Sequence, residues 1–273
     1  MLIAKRQYEI KKDKRTFLDF LPPVSIFLAG LTFIIGTGIA IWWYETPNGK
    51  YQFLSQFFSE LGVRKTFNDG GVIRYAPMFP DIFNMTLVAT GVLMFPFFMF
   101  TFRQMRNENR LSNFFLLIAM IIGILAGFML MGVGVFDLSY DKAMSNPPIY
   151  VTHGFYVSLT YLFMAIVSIF WLLCIMTSKN LPYHKTKWII LDYIFVIILV
   201  INALVNILDG IKLLPVDNIP YLRQYPIEFY QKLMAYLFFV YYGLVVGVRL
   251  SLKKYDNTPV IDTSRIEAMM ANA

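Results

Sequence analysis

The chain has 273 residues, of which 58% are apolar, 17% are aromatic and only 15% are charged, and its mean hydropathy is +0.58. These values lie outside the range of soluble globular proteins, so a water-soluble domain is excluded. The formal net charge is +7, but the basic residues stand at the ends of apolar segments and form no basic domain. Membrane lipids are therefore expected as partners, and nucleic acid is not.

Apolar segments long enough to form membrane helices recur along the chain. A hydrocarbon layer about 30 Å thick requires about 20 residues of helix, which rises ~1.5 Å per residue. Six spans are predicted, at about Val24 to Tyr44, Asp81 to Phe102, Leu111 to Phe136, Ile149 to Thr177, Trp188 to Asp209 and Phe229 to Val248. The predicted fold class is an all-α integral membrane protein with six transmembrane helices.

The first apolar segment is predicted to be a retained span. Leu21 to Tyr44 carries no charge and ends in Trp42, Trp43 and Tyr44. A cleaved signal peptide would have a shorter apolar core and would end in small residues. The segment therefore resembles an uncleaved first helix.

The distribution of positive charge predicts the orientation in the membrane. The N-terminus, the loops after spans 2 and 4, and the C-terminal tail hold 16 of the 24 Lys and Arg residues. Loops rich in Lys and Arg stay on the cytoplasmic side, so both termini are predicted to be cytoplasmic. The chain then divides into a basic cytoplasmic segment (1–23), a six-helix transmembrane domain (24–250) and a cytoplasmic tail (251–273).

Loop lengths and glycines predict which helices are neighbours. The loops at Arg103–Arg110 and Ser178–Lys187 are short, so the spans on either side of each loop are expected to pack as antiparallel pairs. Gly123 and Gly127 lie four residues apart in span 3, a spacing that favours close approach of a neighbouring helix.

The first outer loop contains an amphipathic segment. Over Tyr51 to Gly62, apolar side chains recur at helical spacing and polar side chains lie opposite them. This pattern predicts a short interfacial helix that ends at Gly62. A helix packed as a lid over the bundle is an alternative compatible with the same pattern.

The residue inventory offers little for metal or redox chemistry. Cys174 is the single cysteine and lies within an apolar span, so neither an intrachain disulfide nor a cysteine cluster can form. The two histidines, His153 and His184, are predicted on opposite sides of the membrane, so a three-histidine zinc site cannot form. No metal and no other cofactor is expected.

Polar side chains collect at the outer ends of the predicted spans, where they are costly to hold and are therefore candidates for function. The catalytic candidates are His153, Asp137 and Glu60. His153 and Asp137 flank the same outer loop, where a pairing would hold the imidazole as an acid or base. The alternative is a hydrogen bond that fixes the loop.

The ligand-binding candidates are Ser59, Asn84, Asn206 and Asp209. Asn206 and Asp209 share a helical stripe with Asn202, since the three are spaced i, i+4 and i+7. Hydrogen bonds to neighbouring helices are the alternative explanation for this stripe.

Several short motifs in a fixed order resemble a known family. They are Phe57-Phe58-Ser59-Glu60-Leu61-Gly62 in the first outer loop, Phe83-Asn84 in span 2, Gly132-Val133-Gly134-Val135-Phe136-Asp137 closing span 3, and His153-Gly154 opening span 4. Over roughly residues 24 to 250 the chain resembles the six-helix membrane family catalogued as domain-of-unknown-function family 998. That family is similar in layout to the FRAG/DRAM/Sfk group, in which Asp stands where this chain has Glu60. The resemblance implies lipid handling as a class and names no reaction.

The leading functional hypothesis is a membrane protein that binds or handles lipid at the outer leaflet through a polar pocket. An enzyme that modifies lipid head groups is the stronger form of this hypothesis. A non-catalytic scaffold or accessory subunit with membrane-protein partners is the first alternative. A proton-coupled small-molecule transporter is the second, and the clustering of polar groups at one end rather than in the middle of the spans disfavours it.

Overall fold

The computed structural model describes residues 17–69, 71–105, 109–139, 152–178, 186–210, 227–247 and 250. Most of the basic segment 1–23, the tail 251–273, and residues 106–108 and 179–185 of the two short loops predicted to be cytoplasmic lie outside these residues.

Within the described residues the chain is dominated by long helices. They are α1 (Phe17–Trp42), α2 (Pro80–Met105), α3 (Arg110–Val135), α4 (His153–Thr177), α5 (Thr186–Gly210) and α6 (Ile227–Phe239), the last continued by a π-helix (Val240–Val246). Five helices are long and apolar enough to cross a membrane: α1, α2, α3, α4 and α6 with its π-helical extension. The apolar part of α5 is shorter, at Ile190–Asn206. The prediction of an all-α integral membrane protein is confirmed at this level.

Capping residues explain where two of the helices begin. The side chain of Asn109 accepts hydrogen bonds from the backbone amides of Leu111 and Ser112, which starts α3. Thr152 accepts from the amide of Phe155, so α4 begins at His153 rather than at Ile149 as predicted. The cap thus places His153 in the first turn of α4.

Consecutive helices pack side by side. The most extensive contacts join α1 to α2, α2 to α3 and α3 to α4, as the short loop at Arg103–Arg110 predicted for α2 and α3. Smaller contacts join α4 to α5 and α5 to α6, and the π-helix packs on α1. The helices therefore form a closed ring.

Glycines allow α2 and α3 to approach closely. A Cβ atom placed on Gly91 would lie 2.6 Å from the carbonyl oxygen of Gly127, and one placed on Gly123 would lie 2.3 Å from the ring of Phe98. Real Cβ contacts do not reach such distances, so these positions require glycine. The close packing predicted from Gly123 and Gly127 is confirmed.

The outside of the ring is apolar. Large exposed side chains include Leu31, Ile35, Phe128, Ile197 and Ile201, each between 42% and 53% exposed. In water such a continuous surface would drive association, whereas in a bilayer it is the surface that contacts lipid.

The loop between α1 and α2, predicted from the sequence to be the first outer loop, folds differently from the prediction. It contains two short hairpins, β1 (Glu45–Thr46) with β2 (Gly49–Lys50) and β3 (Phe67–Asp69) with β4 (Val72–Arg74). Between them only Phe58–Gly62 is helical, as a 3-10 helix.

The predicted interfacial helix over Tyr51–Gly62 is therefore not confirmed. Side chains of the segment bond within it: Gln56 Oε1 accepts from the amide of Gln52, and Ser55 Oγ donates to Gln52 Oε1. Such local bonds compete with a continuous helix. The 3-10 helix instead buries Phe58 and Leu61, which are 7% and 1% exposed.

The glycine contacts make a prediction about stability. Gly91→Ala is expected to lower the thermal unfolding midpoint in detergent, because overpacking a tight contact costs about 1–3 kcal/mol. The matched variant is Gly38→Ala, where a new Cβ meets no atom within 4 Å. Because Ala favours a helix over Gly by up to ~1 kcal/mol, this control is expected to match or exceed the wild-type midpoint. Equal midpoints for the two variants would contradict the packing described for α2 and α3.

Candidate functional site

A cavity of about 270 Å³ lies beneath the first outer loop, inside the ring of helices. Its walls are mainly apolar, several polar side chains lie at the end nearest the loop, and Thr160 and Tyr161 line the cavity farther along α4. The apolar lining includes Phe33, Leu87, Leu130, Val133, Met164, Ala235 and Phe239. The polar lining at the loop end includes Ser59, Arg74, His153 and Gln231. The cavity is thus amphipathic along its length.

The depth of the cavity can be read from α4. His153 lies at the first residue of this helix and Met164 lines the deep end. The helical rise between these two residues is about 16 Å at ~1.5 Å per residue. Half of a hydrocarbon layer about 30 Å thick is about 15 Å. The cavity therefore extends over about the depth of one leaflet.

Glu60 and Arg74 form the ion pair at the polar end. Arg74 Nη1 donates to Glu60 Oε1 at 2.7 Å. The Arg74 side chain is 30% exposed and the Glu60 side chain is 7% exposed. Glu60 also accepts from Gln56 Nε2 at 3.2 Å and from the amide of Phe57 at 3.4 Å. The carboxylate is thus compensated by three donors, as a nearly buried charge must be.

The motif from Ser59 to Gly62 has a physical explanation in this arrangement. Ser59 lines the cavity, Glu60 holds Arg74 and Leu61 is buried. Asn84, at the outer end of α2, donates from Nδ2 to the carbonyl of Gly62 at 2.9 Å. A Cβ on Gly62 would lie 2.2 Å from Asn84 Oδ1, so the fourth position must be glycine for this contact. Asn84 thus fastens the loop to the bundle.

Two tyrosines extend the network around Glu60. The side chain of Gln56 bridges Tyr44 and Glu60, and the hydroxyl of Tyr51 donates to the backbone carbonyl of Gln56 at 3.1 Å. Burial raises the pKa of Tyr44 and of Tyr51, and the nearby Glu60 carboxylate raises both further. Both phenols therefore stay protonated at neutral pH and serve as hydrogen-bonding groups.

Lys232 is a buried cation that sequence reasoning missed. It lies on α6 and is 1% exposed, and its ammonium donates to the backbone carbonyl of Gln56. The ammonium also lies 5.1 to 5.9 Å from the ring centroids of Tyr51, Phe53 and Phe58. Carbonyl and ring contacts of this kind stabilise a desolvated cation. An ionisable residue inside an apolar span was itself a signal for this position.

Asp137 and Arg64 tie the loop to the end of α3. Asp137 is 4% exposed and accepts from the amide and the hydroxyl of Ser139. Arg64 lies 3.4 Å from Asp137 Oδ2, donates to the carbonyl of Val135 at 3.2 Å and pairs with Asp81 at 2.9 Å. This arrangement satisfies the carboxylate and links the loop, α2 and α3.

His153 lines the cavity and bonds to the backbone of α3. Its Nδ1 lies 2.6 Å from the carbonyl oxygen of Phe136, which can only accept, so Nδ1 carries a proton. In the neutral ring the lone pair is then on Nε2. The side chain is 4% exposed. The partner seen here is the carbonyl preceding Asp137, and the carboxylate of Asp137 is bonded to Ser139 and Arg64.

The remaining candidates lie on α5. Asn202 Nδ2 donates to the carbonyl of Ile198, and Asn206 Nδ2 donates to the carbonyl of Asn202, each at 2.8 Å. Both amides thus bond back to their own helix, and neither residue is part of the cavity lining. The side chain of Asp209 lies outside the described part of the chain.

Another buried charged residue lies on α5. Asp192 is 0% exposed and accepts from the hydroxyl of Tyr241, in the π-helix, at 2.8 Å. Asp192 lies near the start of predicted span 5 and Lys232 near the start of predicted span 6, and neither is among the candidates named from the sequence. Asp192 is not part of the cavity lining. Among the described residues, no three His, Cys, Asp or Glu side chains are grouped so that they could hold a metal ion.

Comparison with known proteins places this arrangement in a family. The family described as "Protein of unknown function (DUF998)" matches residues 27–213, which is more than half of the chain. The chain belongs to the DUF998 family. The resemblance seen in the sequence is confirmed, although the DUF998 match ends before α6 rather than near residue 250. No curated protein and no solved structure matches this chain.

The contact between Asn84 and Gly62 makes a prediction about the loop. Asn84→Ala leaves the buried carbonyl of Gly62 without its donor, at a cost of about 1–3 kcal/mol. Hydrogen exchange of the backbone amides in Phe58–Gly62 is therefore expected to rise by roughly 5- to 150-fold. Asn48→Ala, in the exposed turn between β1 and β2, serves as the control and is expected to leave this exchange unchanged. Unchanged exchange in Asn84→Ala would show that this bond does not hold the loop.

Proposed function

We propose that this chain is a six-span membrane protein that binds a lipid of the outer leaflet, with an acyl chain in the cavity and the head group beneath the first outer loop. The observation that carries the proposal is the amphipathic cavity itself. It has apolar walls over about the depth of one leaflet and a polar end formed by Ser59, Arg74 and His153. Ligand pockets are commonly apolar with a few convergent polar groups, and this cavity fits that description.

The proposed sixth crossing is α5. Its 25 residues rise about 37 Å, which exceeds the hydrocarbon thickness of about 30 Å. Its apolar stretch, Ile190–Asn206, is shorter and rises about 26 Å. Contacts with α4 and α6 place α5 in the ring between two helices that are long enough to cross.

The proposed orientation puts both termini in the cytoplasm and the first loop outside. The Lys and Arg distribution supports it, as described above. Trp42 and Trp43 lie at the outer end of α1 and are 80% and 50% exposed. The ring of Trp43 contacts that of Phe79, just before α2. Tryptophans at a helix end mark the membrane interface, so they support the level of the boundary.

Binding fits the geometry better than catalysis does. Two of the three catalytic candidates, Glu60 and Asp137, are engaged by arginines and by other donors. A general acid or base needs a group available to the reacting atoms. Of the three, His153 is the one that lines the cavity, and its Nδ1 is bonded to the carbonyl of Phe136.

The cavity also bears on the two alternatives. A scaffold would be favoured by a solid, fully packed outer end, whereas this end is hollow. A transporter would be favoured by a polar path across the spans, whereas the deep end of the cavity is lined by Leu87, Met164 and Phe239.

The orientation is tested by labelling single cysteines introduced at Asn68 and Asn107 in a Cys174→Ala background. A membrane-impermeant maleimide added to intact cells is expected to label the cysteine at position 68, because the loop is placed outside. Position 107 is expected to react only after the membrane is permeabilised. Labelling at position 107 in intact cells would reverse the proposed orientation.

Lipid binding is tested by filling the cavity. Ala235 lines the cavity and is 8% exposed, so Ala235→Phe places a ring in the space proposed for an acyl chain. The lipid that copurifies with the protein, measured by mass spectrometry, is expected to fall at least about ten-fold, which corresponds to a loss of about 1.4 kcal/mol.

The control is the same substitution on the outside of the ring. Ala89 is an exposed residue of α2, so Ala89→Phe adds the same ring where it contacts bulk lipid. This variant is expected to retain wild-type amounts of copurifying lipid. If Ala235→Phe folds and retains as much lipid as Ala89→Phe, the cavity is not the binding site.

A further inference from the structure

Among the described residues that line the cavity, Arg74 is the one Lys, Arg, Asp or Glu. Nη1 of its guanidinium is bonded to Glu60, and within the described part of the chain no other residue is recorded as an acceptor for the guanidinium. Nε is buried and has no described acceptor. A buried donor without an acceptor is costly, so this one calls for a partner.

The geometry of the guanidinium defines what that partner must be. Arginine presents its N–H donors in a planar fork, and two of them can bond at once to the two oxygens of a carboxylate or a phosphate. The edge that includes Nε is not used by Glu60. Glu60 in turn accepts from Arg74, Gln56 and Phe57, so its charge is already compensated from the protein side.

The surroundings favour a negative charge at this point. Ser59 and Gln231 line the same cavity and supply a hydroxyl and an amide as hydrogen-bond donors. Lys232 follows Gln231 on α6 and is buried, with its ammonium 5.9 Å from the centroid of the Phe58 ring. No Asp or Glu is among the described residues that line the cavity.

The size of the cavity limits the number of acyl chains. About 270 Å³ is just below the ~300–1,000 Å³ typical of ligand pockets. This volume suits one chain better than two. An acyl chain gains free energy from each methylene that leaves water, so a single chain is sufficient to bind.

We propose that the cavity takes a single-chain amphiphile with an oxyanion head group, which the free edge of Arg74 binds bidentately. This inference rests on the proposed function, because it assumes that the apolar part of the cavity holds an acyl chain. A carboxylate head, as in a fatty acid, and a phosphate monoester head, as in a lysophosphatidate, share the chemistry that Arg74 recognises.

The test compares ligands that share one acyl chain and differ in the head group: oleate, oleoyl-lysophosphatidate and the neutral monoolein. Each is titrated against the purified full chain in nonionic detergent at an alkaline pH at which both acids are ionised, and apparent affinities are taken from the rise in unfolding temperature. We expect the two anions to bind at least about ten-fold more tightly than monoolein, as expected for charge-assisted hydrogen bonds to arginine. The stronger of the two anions assigns the head group.

Arg74→Lys keeps the charge beside Glu60 but removes the fork, so the anion preference is expected to fall to within about three-fold. Arg64→Lys is the matched control, since Arg64 does not line the cavity, and it is expected to keep the full preference. Ala235→Phe is expected to abolish the preference by removing the binding space. If Arg74→Lys proves unstable, the wild-type comparison of the three ligands still decides the outcome.

The other outcomes separate the two proposals. Equal wild-type affinity for all three ligands, lost in Ala235→Phe, would overturn the head-group inference and leave acyl-chain binding intact. A preference that survives Arg74→Lys would overturn the role given to Arg74. Failure of all three ligands to bind the wild type would overturn this inference, and the amount of lipid that copurifies with the wild type and with Ala235→Phe would decide the proposed function separately.

Discussion

The ion pair between Glu60 and Arg74 lies where a polar loop meets the apolar end of the helix ring. A nearly buried carboxylate at this level is stable only with a cation and additional donors, and the loop supplies them from Gln56, Phe57 and Arg74. These bonds fix the path of the chain between the two hairpins. They also hold the guanidinium of Arg74 at the edge of the cavity. The position of the Glu60 carboxylate therefore determines both the path of the loop above the cavity and the polar end of the site.

The loop above the cavity is held in place by hydrogen bonds from two helices. Asn84 on α2 holds the carbonyl of Gly62, and Lys232 on α6 holds the carbonyl of Gln56. Between these anchors, Phe58 enters the ring and packs edge-on against Phe33, 6.1 Å between ring centroids. Lys232 lies outside the range matched by the DUF998 family, whereas the other anchors lie within it. The loop residues Gln56 and Gly62 therefore lie within the family match, whereas Lys232 on α6 does not.

The sequence predicted the parts of this structure that lipid and local geometry determine. Apolar length located the helices, because a spanning segment must satisfy its backbone internally, and glycine spacing indicated the tight contact of α3. The conformation of the loop between α1 and α2 could not be predicted. Hydrogen bonds from side chains within the loop compete with a helix there, and the loop also bonds to residues far away in the sequence: Lys232 and Gln56 are 176 residues apart. His153 was identified as a site residue, yet its partner is the backbone carbonyl of Phe136, which reasoning from side chains does not consider. The likeness in layout to the FRAG/DRAM/Sfk group stays a prediction.

The central claim is that an acyl chain occupies the inside of the ring rather than only its outer surface. The most direct measurement is photocrosslinking in nanodiscs with a phospholipid and, separately, a fatty acid, each carrying a diazirine along its acyl chain, followed by peptide mapping. We expect crosslinks from at least one of these probes to cavity residues such as Leu87, Val133 and Met164, of which Leu87 and Met164 are 3% and 1% exposed. Crosslinks confined to outward-facing residues such as Met85 and Ile201, 66% and 53% exposed, would contradict it.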